Sequence, residues 1–213
     1  MLKLSKASKM PARSWSLEAK ATCPGAVNKD GSLVPACAGC YATTGNYRFP
    51  NVKNIRVHNR EDWKRDDWGP DMVKALEKDK YFRWFDSGDL YNIVLGWKIY
   101  HVCKATPHVK HWIPTRMHKF PKFQPVLAAL ESLDNVVVRK SSDSINGDTV
   151  EGASNSSTIL PPHITKQAGI DHICPAPSQG GKCGDCRACW DKTVPVVAYH
   201  GHGKTMLKLM RES

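Results

Sequence analysis

The sequence predicts an α/β fold with a parallel sheet, because strand-like and helix-like segments alternate along its middle. The segment 81–85 (YFRWF) is short and aromatic, as buried strands are. Apolar residues then recur at helical spacing, at Leu90, Ile93, Val94 and Trp97. The runs 109–114 (VKHWIP) and 136–138 (VVV) repeat the strand pattern, with a second helical pattern between them. Parallel neighbours require a crossover, which is usually a helix.

The remaining elements follow from the same signals. The sequence predicts a strand at 13–17, helices at 51–63, 71–79, 92–105 and 123–130, and a last strand at 194–199. Pro70 suits the first position of the helix at 71–79, and Pro107 follows the end of the helix at 92–105. The segment 147–157 (GDTVEGASNSS) is polar throughout, so we expect a loop there.

Polar clusters follow the predicted strands in turn. In chain order they are a cysteine loop, 86–89 (DSGD), 115–119 (TRMHK), 139–144 (RKSSDS) and 200–204 (HGHGK). In β/α barrels the chemistry gathers at the carboxyl ends of the strands. We therefore expect these clusters to meet at one edge of the sheet.

Composition indicates a single domain with an anionic partner. The chain has 213 residues and a net charge of +11, which favours nucleic acid or a phosphorylated ligand over a membrane surface. The N-terminus lacks the apolar core of a signal peptide, and no apolar run is long enough to span a bilayer. We expect a cytoplasmic protein that does not contact the membrane.

The eight cysteines fall into two groups. Cys23, Cys37 and Cys40 form the first group, and the second is Cys174, Cys183, Cys186 and Cys189. Cytoplasmic thiols stay reduced, so these residues are better explained by metal binding or catalysis than by disulfides. Cys103, alone in a predicted helix, is expected to be a packed thiol.

Several metal chemistries fit these spacings. A thioredoxin-like Cys37-x-x-Cys40 pair would leave the other thiols without a role, and one zinc ion needs fewer thiols than the chain has. Three cysteines fit a cubane cluster with one open iron, and four in the spacing of the second group fit a closed iron–sulfur or zinc site. His200 and His202 would face a cluster or a phosphate, or lie at the surface.

The motifs Cys37-x-x-Cys40-Tyr41-Ala42, Asp86-Ser-Gly-Asp89 and Cys183-x-x-Cys186-x-x-Cys189-Trp190 resemble a phage family called gene product 88. The resemblance covers residues from about 14 to 200. The organisation of that family is similar to the radical S-adenosylmethionine enzymes, which have a partial (β/α) barrel with three cysteines after the first strand. The resemblance thus implies a single partial-barrel domain over 1–213, with a cysteine-rich metal-binding segment at 170–192.

This resemblance also implies a set of site residues. Cys23, Cys37 and Cys40 would hold a [4Fe-4S] cluster, although the segment 24–36 separates the first two more widely than in the usual motif. Ser87, Gly88 and Asp89 would meet the amino group of S-adenosylmethionine. Three residues after the fourth strand would lie near its carboxylate or ribose: Arg139, Ser141 and Ser142. The four C-terminal cysteines would hold a second cluster or zinc.

Three functions remain open from the sequence. The first is an enzyme of radical S-adenosylmethionine type in the host cytoplasm, which would act on an unknown substrate, a nucleotide or nucleic acid given the charge, and would need an external electron donor. The second is a non-catalytic zinc or iron–sulfur protein that binds nucleic acid. The third is an iron–sulfur barrel protein that does not use S-adenosylmethionine.

Overall fold

A computed structural model describes residues 1–212, and within them one sheet of eight strands is accompanied by six α-helices. The strands are Ser5–Lys6 (β1), Arg13–Trp15 (β2), Tyr81–Trp84 (β3), Lys110–Thr115 (β4), Val136–Ser141 (β5), Ser156–Leu160 (β6), His172–Ile173 (β7) and Val196–His200 (β8). The helices are Pro35–Ala38 (α1), Pro50–Asp62 (α2), Trp68–Leu76 (α3), Ile93–Ala105 (α4), Gln124–Glu131 (α5) and Lys204–Glu212 (α6).

The strands follow the order β1-β2-β3-β4-β5-β6-β8-β7. All neighbours are parallel except β1 and β2. The predicted α/β class with a parallel sheet is therefore confirmed. The sheet is open, since β1 and β7 form its two edges, and so it does not close into a barrel.

Helices α3, α4 and α5 pack on one face of the sheet and enclose the main core. Phe82 and Trp84 from β3 point into this core, together with Cys103 from α4. The side chain of Asn92 caps α4 by accepting hydrogen bonds from two backbone N–H groups of its first turn. Cys103 is fully buried, which confirms its expected place as a packed thiol. Trp97, by contrast, is 37% exposed on the outer side of α4.

The opposite face of the sheet carries a smaller aromatic cluster. Trp112 from β4 and Trp190 are its largest members, and their ring centroids are 5.4 Å apart. The indole N–H of Trp190 donates to the carbonyl oxygen of Phe82 at 2.9 Å. The C-terminal cysteine segment is thereby fixed against this second face.

Two predictions of secondary structure were wrong. Helix α3 covers Trp68–Leu76 instead of 71–79, because proline is tolerated throughout the first turn, where its missing N–H has no helical partner. The predicted loop at 147–157 ends too late, because Ser156 and Ser157 begin β6. The hydroxyl side chains of β6 are buried, and its backbone pairs with β5 on one side and β8 on the other. This pairing outweighs the polarity of the segment.

The strands β1 and β7 are too short for a periodic signal and were not predicted, and neither was helix α6. No helix within residues 1–212 combines the length and the apolar character that crossing a bilayer would require.

Candidate functional site

The parallel strands bring the predicted polar clusters to the carboxyl ends of the strands, which we call the carboxyl edge of the sheet. The loop at 86–89 follows β3, Arg116 follows β4, and Ser142 and Asp143 follow β5. Hydrogen bonds join these loops: Arg116 donates from Nε to Asp143 at 3.2 Å and from Nη2 to the carbonyl oxygen of Ser142 at 2.8 Å. The expected meeting of these clusters is therefore present.

The first cysteine group lies at this edge. Cys23 precedes a short turn of 3-10 helix, Cys37 lies within α1, and Cys40 lies two residues after the end of α1. All three side chains are partly exposed. The backbone N–H of Ala36 donates to the carbonyl oxygen of Asp143 at 3.0 Å, which attaches α1 to the loop after β5.

The thiols of this group influence one another electrostatically. The pKa of Cys23 is raised to about 12 by burial, by the negative charge of Asp89 and by the charges of Cys37 and Cys40. Burial also raises the pKa of Cys37, and Arg116 opposes that rise. Without a metal, Cys23 and Cys37 are therefore neutral thiols near pH 7, and a metal ion would have to displace their protons.

The donor set is of the type that iron–sulfur clusters use, since it consists of three thiols on adjoining loops. Within residues 1–212, however, no three His, Cys, Asp or Glu side chains come close enough together to form an assembled metal site. The first cysteine group therefore shares an edge of the sheet without converging on one point.

Gly88 allows the loop after β3 to lie directly against the segment before Cys23. Its φ of +77° is favourable only for glycine, and a Cβ there would lie 2.5 Å from Cβ of Leu17 and 2.7 Å from Oγ1 of Thr22. Ser87 supports the same contact, because its hydroxyl donates to the carbonyl oxygen of Leu17 at 2.8 Å and accepts from Nε of Arg56 at 2.6 Å. The donor hydrogen and one of the two acceptor positions of the Ser87 hydroxyl are thereby used within the protein.

Asp89 is a buried carboxylate that links the loops after β3 and β4. Its Oδ1 accepts from the hydroxyl of Thr115 and the N–H of Leu90, both at 2.6 Å, and its Oδ2 accepts from the N–H of Arg116 at 2.9 Å. Burial raises the pKa of Asp89, while these three hydrogen bonds lower it. Oδ2 has one partner in the protein and so retains capacity for another donor.

Asp86 forms a buried ion pair that sequence reasoning did not identify. Its carboxylate accepts from Nη2 of Arg56, on α2, at 3.1 and 2.9 Å. The hydroxyl of Tyr41, the residue after Cys40, donates to the carbonyl oxygen of Asp86 at 2.7 Å. The aromatic residue beside the CxxC motif and the basic residues of the following helix were the available signals.

Arg139 lies within β5 and not in a loop after it, and it has a structural role. Its guanidinium donates to six backbone carbonyl oxygens at 2.6–3.3 Å, those of Ser156, Ala188, Cys189, Asp191, Val194 and Pro195. All of its donors are thereby used, so Arg139 has none left for a cofactor.

The hydroxyls of Ser141 and Ser142 lie in different surroundings. The hydroxyl of Ser141 is 3.4 Å from that of Ser157 on the neighbouring strand, and Ser141 is partly exposed. The hydroxyl of Ser142 accepts from the N–H of Ser144 at 3.1 Å and is buried at the carboxyl edge. Both serines lie at the end of β5, where the sequence predicted them.

The second cysteine group surrounds the ends of β7 and β8. Cys174 directly follows β7, and the thiol of Cys186 is 3.2 Å from Nε2 of His172. The thiol of Cys189 is 3.2 Å from the hydroxyl of Tyr199. Burial raises the pKa of Cys189 to about 11, and it also raises the pKa of Cys183, with a further contribution from Cys174.

The histidines after β8 differ in their surroundings. His200 makes a 2.9 Å hydrogen bond with the carbonyl oxygen of Ile164. His202 is exposed, and its ring centroid is 5.6 Å from that of Tyr41. A small cavity of about 80 Å³ lies between the segment around Cys40 and the start of α6, beside His202.

These features define an α/β protein whose parallel sheet presents a group of thiols and a buried carboxylate at its carboxyl edge. The chain belongs to the family described as Gene product 88, whose pattern it matches over residues 2–192. The resemblance inferred from the sequence to this family is thereby confirmed. Comparisons with curated proteins and with solved structures return no match.

Proposed function

We propose that the protein is an iron–sulfur enzyme of radical S-adenosylmethionine type, in which Cys23, Cys37 and Cys40 hold a [4Fe-4S] cluster. The main support is that the segment 24–36 turns back on itself. The N–H of Val34 donates to the carbonyl oxygen of Ala26 at 2.9 Å, which returns the chain before Cys37 to the turn that follows Cys23. Loops at the carboxyl edge of a parallel sheet are the usual place for such chemistry, and an open sheet is compatible with a partial barrel.

Asp89 is the residue that best suits the ammonium group of S-adenosylmethionine. Its Oδ2 can accept a further hydrogen bond, and its negative charge contributes to the raised pKa of both Cys23 and Cys37. Gly88 exposes backbone beside it, while Ser87 holds the loop in place. Ser142 and Ser141 remain our candidates for the carboxylate or ribose of the cofactor.

In this proposal Arg116, and not Arg139, is the arginine near the carboxylate or ribose of the cofactor. Its positive charge lowers the pKa of Cys37, so it lies beside the first cysteine group. Its Nη1 has no hydrogen-bond partner within residues 1–212, whereas the donors of Arg139 are all used. When bound, a cluster with an open iron would supply one electron to the cofactor, and an external donor would have to replace that electron.

The second cysteine group is proposed to hold a separate, closed site, either zinc or a second cluster. Four thiols are a complete donor set for either. His172 is a further candidate because its ring nitrogen lies beside the thiol of Cys186. Segment 170–192 would then be the cysteine-rich part of a single domain.

Anaerobic reconstitution tests the first metal site. We expect about four irons and four sulfides for a cluster at the first group. The triple variant Cys23→Ser, Cys37→Ser, Cys40→Ser should lose that amount of iron, while Cys103→Ala, which removes a thiol of the packed core, should retain it. Equal iron content in the triple variant and in Cys103→Ala would contradict the proposal.

Spectroscopy of the reduced protein tests the cofactor. Adding S-adenosylmethionine should change the paramagnetic spectrum of the cluster, and a strong reductant should then release 5′-deoxyadenosine. Asp89→Asn should retain its iron but lose most of the spectral change. An unchanged wild-type spectrum at saturating S-adenosylmethionine would leave the iron–sulfur protein without this cofactor as the better function.

A second candidate function is nucleic-acid binding by a non-catalytic metal protein, which the net charge of +11 favours. Titration with single-stranded DNA, double-stranded DNA and RNA at low salt should then show binding that weakens as salt rises, through counterion release. Nucleic-acid binding in protein that does not respond to S-adenosylmethionine would favour this function over the enzyme. Absence of binding to all three would contradict it.

A further inference from the structure

Arg83 lies on the face of the sheet opposite the helices. Its neighbours in β3, Phe82 and Trp84, point into the helix-covered core, so the alternation of the strand directs Arg83 to the other side. There its guanidinium carbon lies 4.3 Å from the ring centroid of Trp112, a stacking arrangement. The side chain is partly exposed and thus accessible from this face.

The guanidinium of Arg83 has no carboxylate partner within residues 1–212. Nη1 donates to the thioether sulfur of Met10 at 3.6 Å, which is a weak acceptor, and the buried Nε has no hydrogen-bond partner among the described residues. Asp86 is near enough for its charge to act on Arg83, but both of its carboxylate oxygens are engaged by Arg56. Asp86 is therefore the hydrogen-bonded partner of Arg56, and Arg83 has no such carboxylate of its own within residues 1–212.

Other arginines of this protein are engaged differently. Arg139 donates to backbone carbonyl oxygens only, Arg65 pairs with three aspartates, and Arg13 pairs with Asp79. Burying a cation is costly unless oxygen acceptors surround it. Among the described residues, Arg83 hydrogen-bonds no carbonyl or carboxylate oxygen, which is what an arginine kept for a ligand would show.

We propose that Arg83 anchors a binding site for the carboxylate or phosphate group of a small molecule that lies against the aromatic residues around it. The planar guanidinium binds both groups through two parallel hydrogen bonds, which a lysine does not provide. An anion at the guanidinium would supply the oxyanion partner that Arg83 lacks within residues 1–212.

The surroundings of Arg83 suit the rest of such a molecule. The rings of Trp112 and Tyr199 lie nearly parallel, at 24° and with centroids 6.4 Å apart, and Tyr41 is close enough to contribute to the raised pKa of Arg83. Aromatic faces of this kind bind planar or apolar groups. The ligand is thus an anion with a planar or apolar body.

The site also lies between the two cysteine groups. Tyr41 directly follows Cys40, and the hydroxyl of Tyr199 contacts the thiol of Cys189. A molecule held by Arg83 would therefore be close to both groups. The anion site itself rests on Arg83 and its neighbours and does not depend on any metal.

Calorimetric titration of the purified protein, with and without reconstituted iron, tests this proposal. The probes are inorganic phosphate, pyrophosphate and succinate, so that phosphate and carboxylate ligands are distinguished. We expect at least one of them to bind the wild type and to bind Arg83→Met about tenfold or more weakly, the usual scale for losing a charge-assisted hydrogen bond. Arg211→Gln removes an equal charge from the exposed end of α6 and should bind like the wild type.

Three results would overturn the proposal. They are a wild type that binds none of the three probes, equal binding by Arg83→Met and Arg211→Gln, and unfolding of both Arg83→Met and Arg83→Gln, which would make Arg83 a structural residue. Binding of the phosphates alone would identify a phosphorylated ligand, and binding of succinate alone a carboxylic acid. Because the titration is also done without iron, its failure leaves the iron–sulfur proposal unaffected.

Discussion

Arg139 donates a hydrogen bond from Nη2 to the carbonyl oxygen of Ala188 at 2.6 Å, and thereby joins β5 to the C-terminal cysteine segment. The same guanidinium donates to the carbonyl oxygen of Cys189 at 3.1 Å. Burial lowers the pKa of Arg139, as expected for a cation without a carboxylate partner. Arg139 therefore anchors this segment to the sheet together with the indole of Trp190, which donates to the carbonyl oxygen of Phe82.

Replacing Arg139 with methionine is expected to destabilise the protein by about 3 kcal/mol or more, because the hydrogen bonds of its guanidinium to six backbone carbonyl oxygens would be lost together. Chemical denaturation measures the loss, and thiol labelling of Cys189 should become faster in the native protein. Arg187→Met is the matched control, since Arg187 donates to two backbone carbonyl oxygens near the surface. Equal stability of the two variants would contradict this role.

Gly88→Ala is expected to cost about 2 kcal/mol or more, because the new Cβ adds a clash with Leu17 to an unfavourable φ. Gly152→Ala is the control: its φ is +68° and nothing lies within 4 Å of the added Cβ, so it costs only about 1 kcal/mol. Thermal or urea unfolding compares the two. Equal costs would mean that the contact between the loop after β3 and the segment before Cys23 adjusts freely.

His111 should make the stability of the protein depend on pH. Its Nδ1 accepts from the indole N–H of Trp84 at 3.3 Å, so Nε2 carries the proton and contacts the hydroxyl of Thr106 at 2.9 Å. A second proton would place N–H against N–H. Burial lowers the pKa of His111 to about 3, and the charge of His108 adds to this.

Below the ordinary histidine pKa of about 6.5, the unfolded chain binds a proton that the folded chain does not bind. The contribution of His111 is therefore fully present above that pH and is lost as the pH falls toward 3, with a slope of up to about 1.4 kcal/mol per pH unit. His111→Gln retains both hydrogen bonds and should remove this slope. Urea unfolding between pH 4 and pH 7 measures it, with the exposed His101→Gln as control. A wild-type slope in His111→Gln would show that His111 is protonated in the folded state.

Cys186→Ser is expected to lower both the metal content and the stability of the protein, because loss of a ligand removes the folding free energy that the metal supplies. The neighbouring variant Cys189→Ser should do the same. Metal analysis of anaerobically purified protein and thermal unfolding are the measurements, and Cys103→Ala is the reference. Full metal stoichiometry in both serine variants would show that the second cysteine group does not bind metal.

The sequence alone was sufficient to predict the parallel α/β sheet, the meeting of its loops at the carboxyl edge and the membership of the Gene product 88 family. The first two follow from local periodicity, because alternating strands and helices leave few topologies. The apolar spacing of Leu90, Ile93, Val94 and Trp97, with Pro107 after it, predicted α4 to within one residue. These features are local, so neighbouring residues suffice to specify them.

Only the tertiary structure decided what the charged residues contact. Arg83 lies on β3 and Arg139 on β5, two parallel strands with β4 between them, yet Arg139 is saturated by carbonyl oxygens and Arg83 lacks an oxyanion among the described residues. The polar segment 156–157 was predicted to be a loop, but it forms part of β6, which pairs with β5 and β8. In each case the deciding partners are distant in sequence, because hydrogen bonds and burial depend on which segments the fold brings together.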